Sequence, residues 1–352
     1  MNLSEKIVEH LDRINNYFNL NLRQTNRSFT GCCPIHGGDN PTALTIYTTG
    51  YDRVGVWRCF THDCHKKYGA NAIGFIRGIL SRKNRKLVEF AEAVKWCENF
   101  LSCKFDMKPP EDNEILTSVI TRLGRERPEP PFRLTREQFL GTLSPTNYFI
   151  KRGYKAETLK KFDVGYCANP SKRFYNRVVV PQYDDEGKYI IGAIARSIYE
   201  KCQICKYFHD PNGPCKHYAK WINSDNFPSE WALYNFHRAK KFINETGIAI
   251  LIESAGDTWR IDEADFPMAL GTFGSKFSEE QKRLLDTTAC NTVVVVPNNG
   301  DAGQILVEHI REQCKRTHNI VIVEPKYKDD IGACNIEAVK QILGPIIDKH
   351  GY

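Results

Sequence analysis

CCPIHGGDNPTALTIYTTGYDRVGVWRCFTHDC, residues 32–64 of a 352-residue chain, sets thiols and an imidazole on either side of an alternating apolar run. Structural zinc takes four nitrogen or sulfur ligands in a tetrahedron, often from two short pairs carried on turns. Cys33 and His36 make one such pair, and Cys59 and Cys64 the other. The strand-forming ALTIYTT and VGVWRCF lie between them. Cys32, His62 and His65 compete as ligands. Four protein ligands leave no open position, so the ion is expected to hold a segment too short to stabilise itself, as a zinc ribbon does.

Working outward, Ser4 can cap a helix that carries Ile7, Leu11, Ile14 and Phe18 at helical spacing. AIGFIRGIL (72–80) and LVEFAEAVKWCENFL (87–101) read as two further helices, the second with Leu87, Phe90, Ala91, Val94 and Leu101 on one face. These close a first domain, residues 1–105. KPPEDNE and RERPEPPF then give 106–135 a Pro-rich, charged composition that resists packing and reads as a linker. RVVVPQYD (177–184) and KYIIGAIARS (188–197) alternate around a DEG turn as a hairpin, within a mixed α+β part at 136–245. From 246 to 352 the short apolar runs IAILI, VVVVP and IVIV are separated by helical stretches. That is the pattern of an α/β unit whose parallel sheet is covered on both faces. The whole is therefore a multidomain α+β and α/β chain.

Apolar residues make up 41% and charged residues 26% of the chain, with a net charge of +7. No segment reaches the length of apolar sequence that a membrane span needs, and the N-terminus lacks the pattern of a secretion signal. A cytoplasmic location is the expectation. SRKNRK (81–86), KRFYNR (172–177) and HRAKK (237–241) are basic clusters that would suit a polyanion. Thirteen cysteines in a chain expected to stay reduced point to metal rather than disulfides. A second cluster, CQICKYFHDPNGPCKH, offers Cys202, Cys205, Cys215 and His217, with His209 as a rival.

Glu253 and Asp257 stand four apart directly after the apolar run 248–252, where a helical turn would put both carboxylates on one side. Hard oxygen ligands at a strand end suit Mg²⁺. At this point the chain resembles the bacterial-type DNA primases, in particular their shorter phage forms. CPIH, NPTALTIY, VWRCF and IGFI are similar to that family's zinc-binding domain. YFIKRGYKAETLKKFDVGYC, RVVVPQYDDEGKYIIGAIAR, KWINS and LYNFHRAKK resemble its RNA-polymerase domain. ILIESAGD, LGTFGSKFSEEQ, VVVVPNNGDAGQ and KDD resemble its topoisomerase-primase (toprim) module, and all these motifs stand in the family's order.

The resemblance implies an enzyme that synthesises short RNA primers on single-stranded DNA from ribonucleoside triphosphates, with zinc and Mg²⁺ as cofactors. It implies catalytic carboxylates at Glu253, Asp257 and Asp329; around Mg²⁺ either Asp301 joins them through a changed turn, helped by Asn298, or those three hold the ion. It also implies nucleotide and template contacts at Arg177, Arg196, Lys220 and Asn223, and a separate replicative helicase as partner, since no P-loop occurs. If the gene is viral, the host cytoplasm is the location. Two departures stand out. The family's D-x-D-x-A-G is Asn298-Asn299-Gly300-Asp301-Ala302-Gly303 here, and the glycine after the first glutamate is Ser254. A non-catalytic, DNA-binding replication accessory is the competing reading, and a toprim nuclease a third. The second cysteine cluster, if it binds zinc, would lie beside the template groove.

Overall fold

Asn2, rather than Ser4, opens the first helix. Its side chain accepts from the Glu5 N–H while the Glu5 carboxylate accepts from the Asn2 N–H, a reciprocal cap. The computed structural model describes residues 2–49, 54–102, 129–130, 132–324 and 330–351. Most of the expected linker, and Asp329, lie outside the described residues. The single helix expected at the start is two, α1 (Leu3–Glu9) and α2 (Leu11–Tyr17), broken where His10 leaves helical geometry at φ −115° and ψ 20°.

A four-stranded antiparallel meander follows: β1 (Arg23–Gln24), β2 (Ser28–Gly31), β3 (Leu44–Tyr47) and β4 (Trp57–Cys59), in that spatial order. The helices α3 (Cys64–Tyr68), α4 (Ala72–Lys83) and α5 (Phe90–Ser102) pack on it. The buried face of α5 is Phe90, Ala93, Trp96, Cys97 and Phe100, turned from the face expected, while Leu87 is exposed. The reason is aromatic. Trp96 and Phe100 stack on each other and against Tyr17 and Phe18 of the first helices, burying more area than the aliphatic face could.

The middle part holds α6 (Arg136–Leu140), α7 (Ala156–Lys161) and a second antiparallel sheet. Its strands are β5 (Gly165–Cys167), β6 (Arg177–Tyr183), β7 (Ile190–Ser197) and β8 (Trp221–Asn223). The expected hairpin is β6–β7, and both of its faces are covered. Val178 and Val180 pack toward Phe149 and Trp259, whereas Val179, Ala193 and Ala195 pack toward Phe139.

The third part runs α8 (Phe236–Thr246), β9 (Ile248–Ile252), α9 (Ala255–Glu263), β10 (Ala269–Gly271), α10 (Glu279–Leu285), β11 (Thr292–Val295), α11 (Asp301–Cys314), β12 (Asn319–Ile322) and α12 (Ile336–His350). All its strand pairs are parallel, in the order β10-β9-β11-β12. Three of these strands follow the apolar runs. β10, only three residues long, carries no such signal. In this order the chain winds one way from β9 to β10 and the other way from β9 to β11. The crevice between the carboxyl ends of β9 and β11 is therefore the switch point where parallel sheets bind ligands. Glu253 and Asn298 stand at it.

The ribbon part lies against the parallel-sheet part. Arg77 of α4 donates to the Asp286 carbonyl after α10 at 3.3 Å, the Leu3 N–H donates to the Arg316 carbonyl at 2.9 Å, and Asn2 donates to Asn319 at 3.0 Å.

Candidate functional site

Glu253 leaves β9 half-buried, and its Oε1 is shielded from solvent with no hydrogen-bond partner among the described residues. A buried carboxylate oxygen without a donor is costly unless a cation supplies the missing interaction. Burial raises the Glu253 pKa, hydrogen bonds from the backbone and side chain of Asn298 oppose the rise, and the charge of Asp330 adds to it. Asn298 thus holds Glu253 across the switch point.

Ser254 replaces the expected glycine with a cap. Its Oγ accepts from the Asp257 N–H at 3.2 Å, which starts α9, and donates to Asp257 Oδ2 at 2.7 Å. Asp257 is 2% exposed, and Gly332 N–H donates to its Oδ1 at 3.0 Å. Burial, then the nearby charge of Asp330, pushes its pKa up to about 7.

Asp330 stands next in the chain to Asp329, which lies outside the described residues. It caps the one-turn helix Ile331–Ala333, its side chain accepting from the Ala333 N–H at 2.9 Å. A Cβ on Gly332 would meet Asp257 Oδ1 at 2.8 Å, Tyr154 Oη at 3.0 Å and Asp330 Oδ1 at 3.3 Å, so both carboxylates bear on one small space that only glycine leaves open. Arg260 braces this loop from below, donating to the Gly332 carbonyl at 3.3 Å and the Gly153 carbonyl at 2.9 Å, while pairing with buried Glu263 at 2.6 Å.

Asp301 is exposed on the first turn of α11. The loop before it is tight, since a side chain at Gly303 would run into the Asn298 carbonyl. Around Glu253 the structure therefore gathers Asp257, Asn298 and Asp330, three oxygen-bearing groups at a sheet switch point. Hard donors of this kind fit a divalent cation that keeps some of its waters.

The basic residues lie on the neighbouring sheet. Arg177 is 2% exposed and donates to the carbonyls of Ala195 at 3.3 Å and Ala219 at 3.0 Å, with its guanidinium over the Tyr218 ring at 4.1 Å. Arg196, also buried, donates to the Ser197 carbonyl at 2.8 Å and lies 5.0 Å from the Phe208 ring. Burial lowers both pKa values. Both guanidiniums are thus engaged in holding the sheet edge.

Lys220 reaches solvent. Its pKa is lowered by partial desolvation and then by the charges of Arg196 and Arg152, against the pull of Asp330. Lys220 is thus close enough to Asp330 for the two charges to act on each other. Asn223 ends β8 exposed, its carbonyl accepting from Arg173 at 3.1 Å. Sequence reading missed Lys151 and Arg152, which extend the basic edge. Lys151 lines an open cleft of about 610 Å³ with Asn147, Tyr148 and Tyr166, and Arg152 pairs with Glu200 at 2.6 Å.

In the ribbon, one ligand atom from each of Cys33, His36, Cys59 and Cys64 lies within 4.8 Å of the other three. Cys33 follows β2, Cys59 ends β4 and Cys64 starts α3, so sheet and helix deliver the two expected pairs to one point. The two rival histidines are otherwise engaged. His65 accepts the Cys59 N–H through Nδ1 at 3.2 Å, with burial dropping its pKa to about 4, and His62 stacks on the His36 ring at 4.0 Å. Burial pushes the Cys59 thiol up, but backbone donors at Cys64, His62 and Thr61 and the Thr61 hydroxyl outweigh it and bring the thiol to about 7. A thiol so prepared, beside two more and an imidazole, fits zinc.

The second cluster differs from expectation in one ligand. Cys202, Cys205 and Cys215 converge with His209, not His217, again within 4.8 Å. His217 instead packs its ring on Tyr207 at 4.4 Å.

No protein-family model matches the chain. It is similar to bacterial DNA primases over more than four-fifths of its length. The Staphylococcus epidermidis enzyme is 23% identical over 325 residues, covering 81% of this chain and 49% of that protein. The Aquifex aeolicus enzyme is 23% identical over 327 residues, covering 84% and 58%. The chain thus spans about half the length of these relatives. Among solved structures, the zinc-binding and RNA-polymerase domains of the Aquifex aeolicus primase align with a TM-score of 0.48 at 21% identity, covering 99% of this chain and 85% of that one.

Proposed function

We propose that the chain is a DNA primase, a nucleotidyltransferase that makes short RNA primers on single-stranded DNA. One observation carries this reading. Glu253, Asp257 and Asp330 are gathered at the switch point of a parallel sheet, with Lys220 of the second sheet close enough to feel the charge of Asp330. A carboxylate cluster near a cationic group is what transfer between phosphates needs, since that chemistry depends on positioning and charge neutralisation.

Glu253, Asp257, Asp330 and the adjoining Asp329 would hold Mg²⁺. The ion, when bound, would neutralise the triphosphate and favour attack by the primer hydroxyl. Asn298 keeps Glu253 aimed into the crevice. Ser254 and the Gly332 N–H do the same for Asp257. Lys220, with Lys151 and Arg152 beyond it, is positioned to take the triphosphate or the template backbone, while buried Arg177 and Arg196 keep the edge rigid. The ribbon, with zinc on Cys33, His36, Cys59 and Cys64, would offer the template a second surface. A separate helicase would supply unwound strand. Among the described residues no helix is long and apolar enough to cross a membrane.

The test is direct. A single-stranded template, the four ribonucleotides and Mg²⁺ should yield short RNA, and Glu253→Gln should abolish it. DNA binding without synthesis by the unaltered chain would favour the accessory reading, and a shortened template the nuclease.

A further inference from the structure

We propose that Cys202, Cys205, His209 and Cys215 bind a second zinc ion, and that this ion fixes a loop seating two aromatic rings on Arg177 and Arg196. The ligand geometry supports the first half. Cys202 Sγ and Cys215 Sγ are 4.0 Å apart, and His209 Nε2 lies 3.1 Å from Cys205 Sγ. A tetrahedron with Zn–S bonds near 2.3 Å has edges of about 3.8 Å, so these atoms need only small shifts to close on an ion. His209 is also prepared by its neighbour. Its Nδ1 stands 2.7 Å from the Asp210 carbonyl, which can only accept, so the ring proton is on Nδ1 and the Nε2 lone pair is free to ligate. The Cys202–Cys205 turn is closed by the Lys206 N–H on the Cys202 carbonyl at 3.1 Å and the Cys202 N–H on the Tyr207 carbonyl at 2.7 Å.

The loop has no regular structure of its own to order it. Residues 201–219 contain no helix or strand, Cys215 is exposed, and Ile204 at the tip is 84% exposed, so there is no apolar core of the loop's own. Yet the loop closes on itself and meets the sheet at a defined point. Phe208 N–H donates to the Tyr218 carbonyl at 2.9 Å, and Ser197 Oγ donates to the Phe208 carbonyl at 2.8 Å. This places Tyr218 on Arg177 and Phe208 on Arg196. A cross-link between residues 202 and 215 holds both rings in place by tying the segments that carry them. The ion's role is thus to keep the cationic edge of the second sheet rigid, a role distinct from that of the ribbon.

Zinc content of the full-length chain, purified under reducing conditions, tests the site without reference to primer synthesis, so its failure is separable from failure of the primase reading. Two zinc ions per chain are expected. Cys202→Ser, Cys215→Ser and His209→Ala should each lose one, and His217→Ala should keep both. One ion in the unaltered chain, two in His209→Ala, or one in His217→Ala would overturn the assignment. A Cys202–Cys215 disulfide, seen as two missing thiols without zinc, would overturn it as well. For the second half, His209→Ala should become open to trypsin at Lys201, Lys206 and Lys216, while cleavage elsewhere stays as in the unaltered chain. A loop that stays resistant without its metal would refute the positioning role.

Discussion

Asp257→Asn should make the magnesium-free protein more stable at pH 8, although it removes a residue proposed to act in catalysis. Asp257 is buried, and its carboxyl has moved from an ordinary value of 3.8 to about 7, through burial first and the charge of Asp330 second. That is about three pH units, worth about 4 kcal/mol at about 1.36 kcal/mol per unit. The sign follows from proton counts. Between about pH 4 and 7 the folded chain keeps a proton that the unfolded chain has lost, so stability falls as pH rises through this window and levels off above it. Asparagine cannot ionise and escapes the loss, while its carbonyl can still accept from the Gly332 N–H. The variant should exceed the parent by up to about 4 kcal/mol at pH 8 and by less than half of that at pH 5, raising Tm by several degrees. Thermal melts from pH 5 to 8, without magnesium and without a chelator that would strip zinc, measure the difference. Millimolar Mg²⁺ should then raise Tm of the parent at pH 8 and leave the variant nearly unmoved, because only a carboxylate repays the cost of its burial by ligation. A parent-minus-variant difference that stays flat with pH, or Mg²⁺ stabilising both equally, would refute the reasoning.

Cys33→Ser should cost one zinc ion and the fold of the ribbon part. It should read out in metal content and in the near-ultraviolet signal of Trp57, which is fully buried and donates to the Gly69 carbonyl at 2.7 Å; retention of both signals would count against Cys33 as a ligand. Arg260→Met leaves buried Glu263 without its ion pair and with only the Lys155 N–H as donor, at about 3–5 kcal/mol in denaturant unfolding, and adding Glu263→Leu should recover part of the loss. Asn298→Asp swaps a donor to Glu253 for a like charge, so the magnesium-free protein should lose about 1–3 kcal/mol and Mg²⁺ should restore it. An unchanged melt in the absence of Mg²⁺ would mean that Asn298 does not hold Glu253.

What could be read from the chain was whatever is local. The pair Cys33–His36, the pair Cys59–Cys64 and the apolar runs of β9, β11 and β12 are set by spacing within a few residues, and spacing is what a sequence displays. Choices between equals were not legible. His62 and His65 lie near Cys59 and Cys64 in the sequence and could compete with His36, and only the fold gives His65 to the Cys59 N–H. His209 and His217 likewise divide on the Asp210 carbonyl, which fixes one ring's tautomer. The buried face of α5 turned because aromatic partners on α2 outweigh aliphatic periodicity, and β10 escaped notice because three residues carry no period.

The altered acidic motif shows how a loss in sequence can differ from a loss in space. Counted as letters, Asn298 for an acid removes a charge from a magnesium site. In the fold it stands across the switch point from a half-buried glutamate whose pKa burial has already raised, and a second carboxylate there would raise it further. An amide supplies donors instead, which oppose that rise and hold Glu253 in place. Asp330 restores a negative charge from the other side of the crevice, where it already acts on Glu253 and Asp257 alike. Mg²⁺ brought in with a nucleotide needs only one or two protein carboxylates, the phosphates and water filling its remaining positions. On the proposed reading, the charge missing at Asn298 is supplied by Asp330 from another side of the site, and that set would suffice for the ion.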